Sequence, residues 1–220
     1  MAGAVPQVRA LASLNRKMLE AFSRRTVDAL RVHLPLRLVL PHLERILAPN
    51  VEKEVRKDTL VIHRAGAALA SAAAPGPEII AQLLDASMEI DRLFLQEVAR
   101  FPVKIVIRYD EIAPVRRQRI ERLFEASFRI LGACRDETDL RRAIRSCYSP
   151  QDLDALLRAV LRQYALEIDS LSRSVKLPAL LSPARRVLMQ KLSGVMNGVA
   201  TQFARELTEL VYRPRHRGPA

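Results

Sequence analysis

The sequence predicts an all-α fold of seven or eight amphipathic helices in a bundle-like domain, on three observations. Apolar residues recur at intervals of three and four through most of the chain, prolines stand at the edges of those stretches, and capping residues precede several of them. With 220 residues, 49% of them hydrophobic, the chain can bury a proper core in one large domain or two small ones.

The first helix is expected over about 6–33. It carries Arg9, Arg16, Lys17, Arg24, Arg25 and Arg31, with Arg37 just beyond, against only Glu20 and Asp28. Serines and alanines lie between, which is the composition of a mitochondrial or plastid transit peptide and equally of an ordinary basic amphipathic helix. No apolar core followed by a small-residue cleavage site is present, which argues against secretion.

Further helices follow at about 50–74 and from Pro77 to Pro102, the latter marked by Ile79, Ile80, Leu83, Leu84, Ile90, Phe94, Val98 and Phe101. A helix after Pro114 carries Ile120, Leu123, Phe124, Phe128 and Leu131 and ends near Gly132; another is expected at about 137–147. Ser149-Pro150-Gln151-Asp152 then sets a capping serine, a proline at the first helical position and a carboxylate at the third. The stripe Leu153, Leu156, Leu157, Val160, Leu161, Tyr164, Ile168, Leu171 and Val175 continues that helix for about seven turns, and a last helix spans about 183–211.

One segment departs from this period. Val103 to Tyr109 is rich in β-branched residues and reads as a strand. Its one obvious mate is Leu36 to Leu40, fenced by Pro35 and Pro41, so the two form a minor two-stranded ribbon or else stay helical or extended. The chain thus divides into a basic N-terminal segment (1–49) that targets or docks, a helical core (50–211) and a basic tail (212–220).

Charge is the strongest functional cue. Lysine and arginine together number 36 against 24 acids, a net charge of +12, and all but six of the bases are arginine. The excess is concentrated in residues 1–49, 102–149 and 183–220, while 50–101 is slightly acidic. Such a balance attracts anionic partners, whether acidic protein, nucleic acid or anionic lipid. Aromatic residues make up only 5%, which leaves little for base stacking, so nucleic acid would be held by its backbone.

Two helix starts share a paired arginine: Pro114-Val115-Arg116-Arg117 and Pro183-Ala184-Arg185-Arg186. Cations in a first turn oppose the helix dipole, so an external anion is one way to offset them, and salt bridges to Asp110 and Glu111 are another. The candidate anion or partner contacts are Arg116, Arg117, Arg119, Arg185, Arg186 and, in the tail, Arg213, Arg215 and Arg217. Gly194 and Gly198, four apart in a helical run, and Gly66 with Ala70 and Ala74 make two small-residue faces that allow close helix packing, with each other or with a partner subunit.

Catalytic and metal signatures do not appear. The histidines at 33, 42, 63 and 216 form no HExxH or ExxH, the cysteines 134 and 147 form no CxxC, and no P-loop, GxGxxG or GxSxG occurs. Asp85, Glu89 and Asp91, followed at once by Arg92, read as a solvated face. No cofactor is expected. The longest uncharged runs, 65–77 and 192–204, are thirteen residues each, too short for a membrane span of about twenty. The cysteines suggest a reducing compartment, cytoplasm or mitochondrial matrix. The expected function is a non-enzymatic assembly, adaptor or accessory subunit of a larger protein complex; the alternatives are a ribonucleoprotein component on phosphate backbone and a peripheral protein on anionic lipid.

Overall fold

Residues 4–33, 40–71, 81–82, 84–86, 88–89, 109–134, 139–174 and 185–213 are described by a computed structural model. They form α1 (Ala4–Val32), α2 (Leu40–Ser71), α3 (Tyr109–Ala133), α4 (Leu140–Cys147), α5 (Pro150–Ser174) and α6 (Arg185–Tyr212), with further helical residues between 81 and 89. The fold is all-α. No strand occurs among the described residues: Leu40 and Tyr109, the last residues of the two stretches expected to pair, are both helical, and 36–39 and 103–108 lie outside the described residues.

Local chemistry sets most of the boundaries. At the start of α5 the Ser149 hydroxyl accepts the Asp152 N–H at 3.1 Å and donates to the Asp152 carboxylate at 2.7 Å, as the sequence predicted. Asp139 caps α4 by accepting the Arg141 N–H at 3.0 Å. Two helices begin earlier than their prolines suggested. α2 opens at Leu40 and takes in Pro41, where a first-turn N–H has no helical acceptor in any case, as well as Pro49. The expected division between 49 and 50 therefore falls inside a continuous helix. α3 opens at Tyr109 and contains Pro114, so Arg116 and Arg117 lie two turns in and not at the helix start.

Contacts fix how the helices run. α1 lies antiparallel to α2, with Val8 against Gly66, Asn15 bonded to Asp58 and Arg31 bonded to Glu44. α3 runs parallel to α2, Arg116 reaching Glu54 and Arg119 reaching Asp58. α5 returns antiparallel to α3, and α6 antiparallel to α5, with Arg162 bonded to Thr201 and Tyr212 bonded to the carbonyl of Tyr148, just ahead of α5.

Two apolar clusters hold these helices together. One gathers Leu19, Phe22 and Leu30 of α1, Val51 and Val55 of α2, Leu161 and Tyr164 of α5, and Met189, Leu192, Met196, Ala200 and Phe203 of α6. The other gathers Val8, Leu11 and Ala12 of α1, Val61, Ile62 and Ala65 of α2, Ile120, Phe124 and Leu131 of α3, and Ile144 of α4. Because α1 contributes to both, it is part of the core of the described residues. At about 1.5–3 kcal/mol for each fully buried large side chain, the burial of Leu19, Phe22 and Leu30 alone outweighs most single interactions in the fold.

Candidate functional site

Between the two clusters the chain buries charge. On α1 and α2, Asn15, Glu54, Lys57 and Asp58 fall in sequence between or beside residues of one cluster and residues of the other. Arg116 and Arg119 come from α3 and Glu167 from α5; all six ionic groups are buried, and they are the buried charged residues among those described.

The geometry is reciprocal. Arg119 donates from Nη1 to both oxygens of Asp58 at 2.9 Å, from Nε to Glu167 at 2.9 Å, and from Nη2 to Glu54. Arg116 bridges Glu54 at 2.5 Å and Glu167 at 3.1 Å, Lys57 pairs with Glu54 at 2.6 Å, and Asn15 donates to Asp58 at 3.1 Å. Three cations meet three anions, so the buried layer is neutral. A buried charge is tolerated only when paired and hydrogen-bonded in this way.

The electrostatics follow from that arrangement. Burial by itself would push the Glu54 carboxyl up, but Arg116, Lys57 and Arg119 around it hold it well below the usual carboxylate range. Glu167 is pushed up chiefly by its burial, with the negative charge of Glu54 adding to it, against the opposing pull of Arg119, Arg116 and, more weakly, Lys57. Arg119 loses by desolvation and gains more from Asp58, Glu167 and Glu54, and it stays charged. Tyr164, in edge contact with Phe22 at 5.8 Å, is kept protonated by burial and by Glu54; its hydroxyl has no hydrogen-bond partner among the described residues.

This placement changes the reading of two arginines. Arg116 and Arg119 were expected to meet an external anion, yet their guanidinium groups are spent on Glu54, Asp58 and Glu167. The reason is the helix phase: with α3 starting at Tyr109, Arg116, Ile120, Phe124, Ser127 and Leu131 make one inward stripe. Arg117, one residue over, is half-exposed and pairs with the exposed Asp85 at 3.1 Å. Arg213 is exposed at the end of α6, Arg185 and Arg186 open α6, and Arg215 and Arg217 lie outside the described residues.

The small-residue positions separate as well. A Cβ at Gly66 would come within 2.5 Å of Val8 Cγ2, so this glycine is where α1 and α2 approach closely. Ala70 is exposed on α2. Gly194 and Gly198 meet neither Gly66 nor anything else among the described residues: both are exposed, and a Cβ at either would have no neighbour within 4 Å. Each costs α6 about 1 kcal/mol relative to alanine, with no packing among the described residues to offset it.

Beside Gly198 lies an open groove between α5 and α6, lined by Arg162, Asn197, Gly198, Thr201, Gln202 and Arg205. Arg162 donates to the Thr201 hydroxyl at 3.2 Å. The groove's one acid, Glu206, is already paired with Arg25 and accepts from Gln202 at 3.1 Å, so the rim is cationic.

A second cationic feature ends α6. Arg141 and Arg145 of α4 both donate to the carbonyl of Val211, at 2.6 and 2.8 Å, and reach the carbonyl of Arg213 at 2.5 and 3.1 Å. They cap the carbonyl end of the helix from another element. Arg145 also stacks on the Tyr212 ring, and Arg129 on Tyr148.

Among the described residues no group of histidine, cysteine or acid side chains is placed to hold a metal ion, and no helix is long and apolar enough to cross a membrane. No family model, curated protein or solved structure matches this chain.

Proposed function

We propose that this chain is a non-enzymatic docking subunit, an adaptor or accessory component that packs a helix face against a protein partner. The observation that carries the reading is the Gly194–Gly198 face of α6, which is exposed among the described residues and where two glycines weaken the helix with no described side chain packed on them. Charge supports it. The buried layer is electrically neutral, so the chain's net charge of +12 comes from residues outside it, which favours an acidic partner. Leu210 and Val187 on α6, at 62% and 55% exposure, add apolar contact area near the two ends of the same helix.

The test is native purification with and without nuclease. A stoichiometric protein complex that survives nuclease is expected; a chain recovered alone would refute the reading. A second reading, contact with nucleic-acid backbone, is favoured by the arginines around the end of α6, where Arg129, Arg141, Arg145 and Arg213 have no carboxylate partner among the described residues. Loss of the particle on nuclease treatment would favour it.

A further inference from the structure

We infer that the groove between α5 and α6 is the docking site itself, and that its occupant is an acidic amphipathic helix of a protein partner that crosses α6 at Gly198 with a small residue. This rests on the docking reading above and names its site and partner chemistry.

Charge complementarity selects the occupant. Arg162 stands on one wall and Arg205 on the other, Lys191 is exposed further along α6, and Glu206 is neutralised by Arg25. A partner bringing glutamates or aspartates to the rim would meet three cations, with the local acid already taken. Shape selects a helix. Gly194 and Gly198 are one turn apart on α6, so the backbone there forms an open strip with nothing among the described residues within 4 Å of a Cβ at either position. Leu166, one turn along α5 from Arg162 and 43% exposed, supplies apolar contact beside the strip. A second copy of this chain fits less well, because two-fold pairing across this face would bring two copies of the same cationic rim together.

The probe is an end-capped helical peptide of Glu-Ala-Ala-Ala repeats, titrated into the full chain and followed by NMR or fluorescence anisotropy. Its controls are a version interrupted by prolines and a version with lysine in place of glutamate. The expected result is binding of the first peptide only, weakened by salt, and reduced at least about tenfold by Arg162→Glu with Arg205→Glu, since like charges brought together cost several kcal/mol. Gly198→Leu blocks binding while the chain stays folded, because the site has room for the side chain. Absence of binding, or binding indifferent to these variants, would overturn the proposal. Duplex RNA that binds where the peptide does not, or self-association lost with Gly198→Leu, would overturn it in favour of those occupants. If a native complex forms and is untouched by Gly198→Leu, docking stands and this face is rejected; if no complex forms, both fail.

Discussion

Arg116 and Arg117 are chemically identical neighbours with opposite fates. Arg117 shares a solvent-exposed pair with Asp85, and Arg117→Gln is expected to change stability by no more than about 1 kcal/mol in urea denaturation. Arg116 belongs to a buried neutral layer, where removing one charge strands the others. Glu54→Gln, which leaves Arg116, Arg119 and Lys57 facing two carboxylates, is expected to cost about 3–5 kcal/mol. The pH dependence has a defined sign. The Glu54 carboxyl is held below its ordinary value, so the stability it contributes is present above about pH 4.5 and is lost as pH falls toward its folded value. Glu167, pushed up, works the other way: its share is largest in acid and lost as pH rises through its folded value. Glu54→Gln is therefore expected to flatten the acid limb of the stability profile below about pH 4.5, and an unchanged limb would exclude Glu54 as its source. None of this was legible from Arg116 by type, because arginine in a sequence reads as surface. The signal lay in phase: Arg116 continues the stripe of Ile120 and Phe124 backwards, but its partners Glu54 and Glu167 are 62 and 51 residues away and carry no local mark.

At the scale of elements, the two glycine positions make opposite predictions. Gly66→Ala pushes a Cβ to within 2.5 Å of Val8 Cγ2, so Val8 or the helices that carry the pair must shift, at a cost of about 1–3 kcal/mol. Combining it with Val8→Ala gives a double-mutant cycle whose coupling is expected at about 0.5–3 kcal/mol; additive effects would mean that the two side chains do not meet. Gly198→Ala, with nothing nearby, is expected to stabilise the chain by up to about 1 kcal/mol. The sequence presented Gly66, Gly194 and Gly198 as equivalent, since spacing reports a small face but not what sits on it. Where the chemistry is local, as at Ser149 to Asp152, the helix start was legible in full. Where prolines were taken as starts, α2 and α3 began earlier than expected. A helix accepts a proline in its first turn at little cost and tolerates one further in when packing outweighs a lost hydrogen bond.

At the scale of the whole molecule, the neutral buried layer and the two apolar clusters that flank it join α1 to α2, α3, α5 and α6. A chain beginning at residue 34 would lose Val8, Leu11, Leu19, Phe22 and Leu30 from the core together with the Asn15 bond, and is expected to show no cooperative thermal unfolding. A sharp transition in that shortened chain would mean that α1 is the arm its composition suggested. The all-α class was legible from periodicity alone, whereas the way helices from distant parts of the sequence share one ionic layer was not. The net charge was legible too, but not that three of its cations are buried against three acids, so that the excess comes from residues outside that layer. If α6 is the docking helix, it gives up stability for contact. The most direct test measures, side by side, the unfolding free energy of Gly198→Leu and the recovery of its native protein complex. A more stable chain that no longer recovers its partner is the predicted result; a less stable chain, or one that keeps its partner in full, would contradict the account.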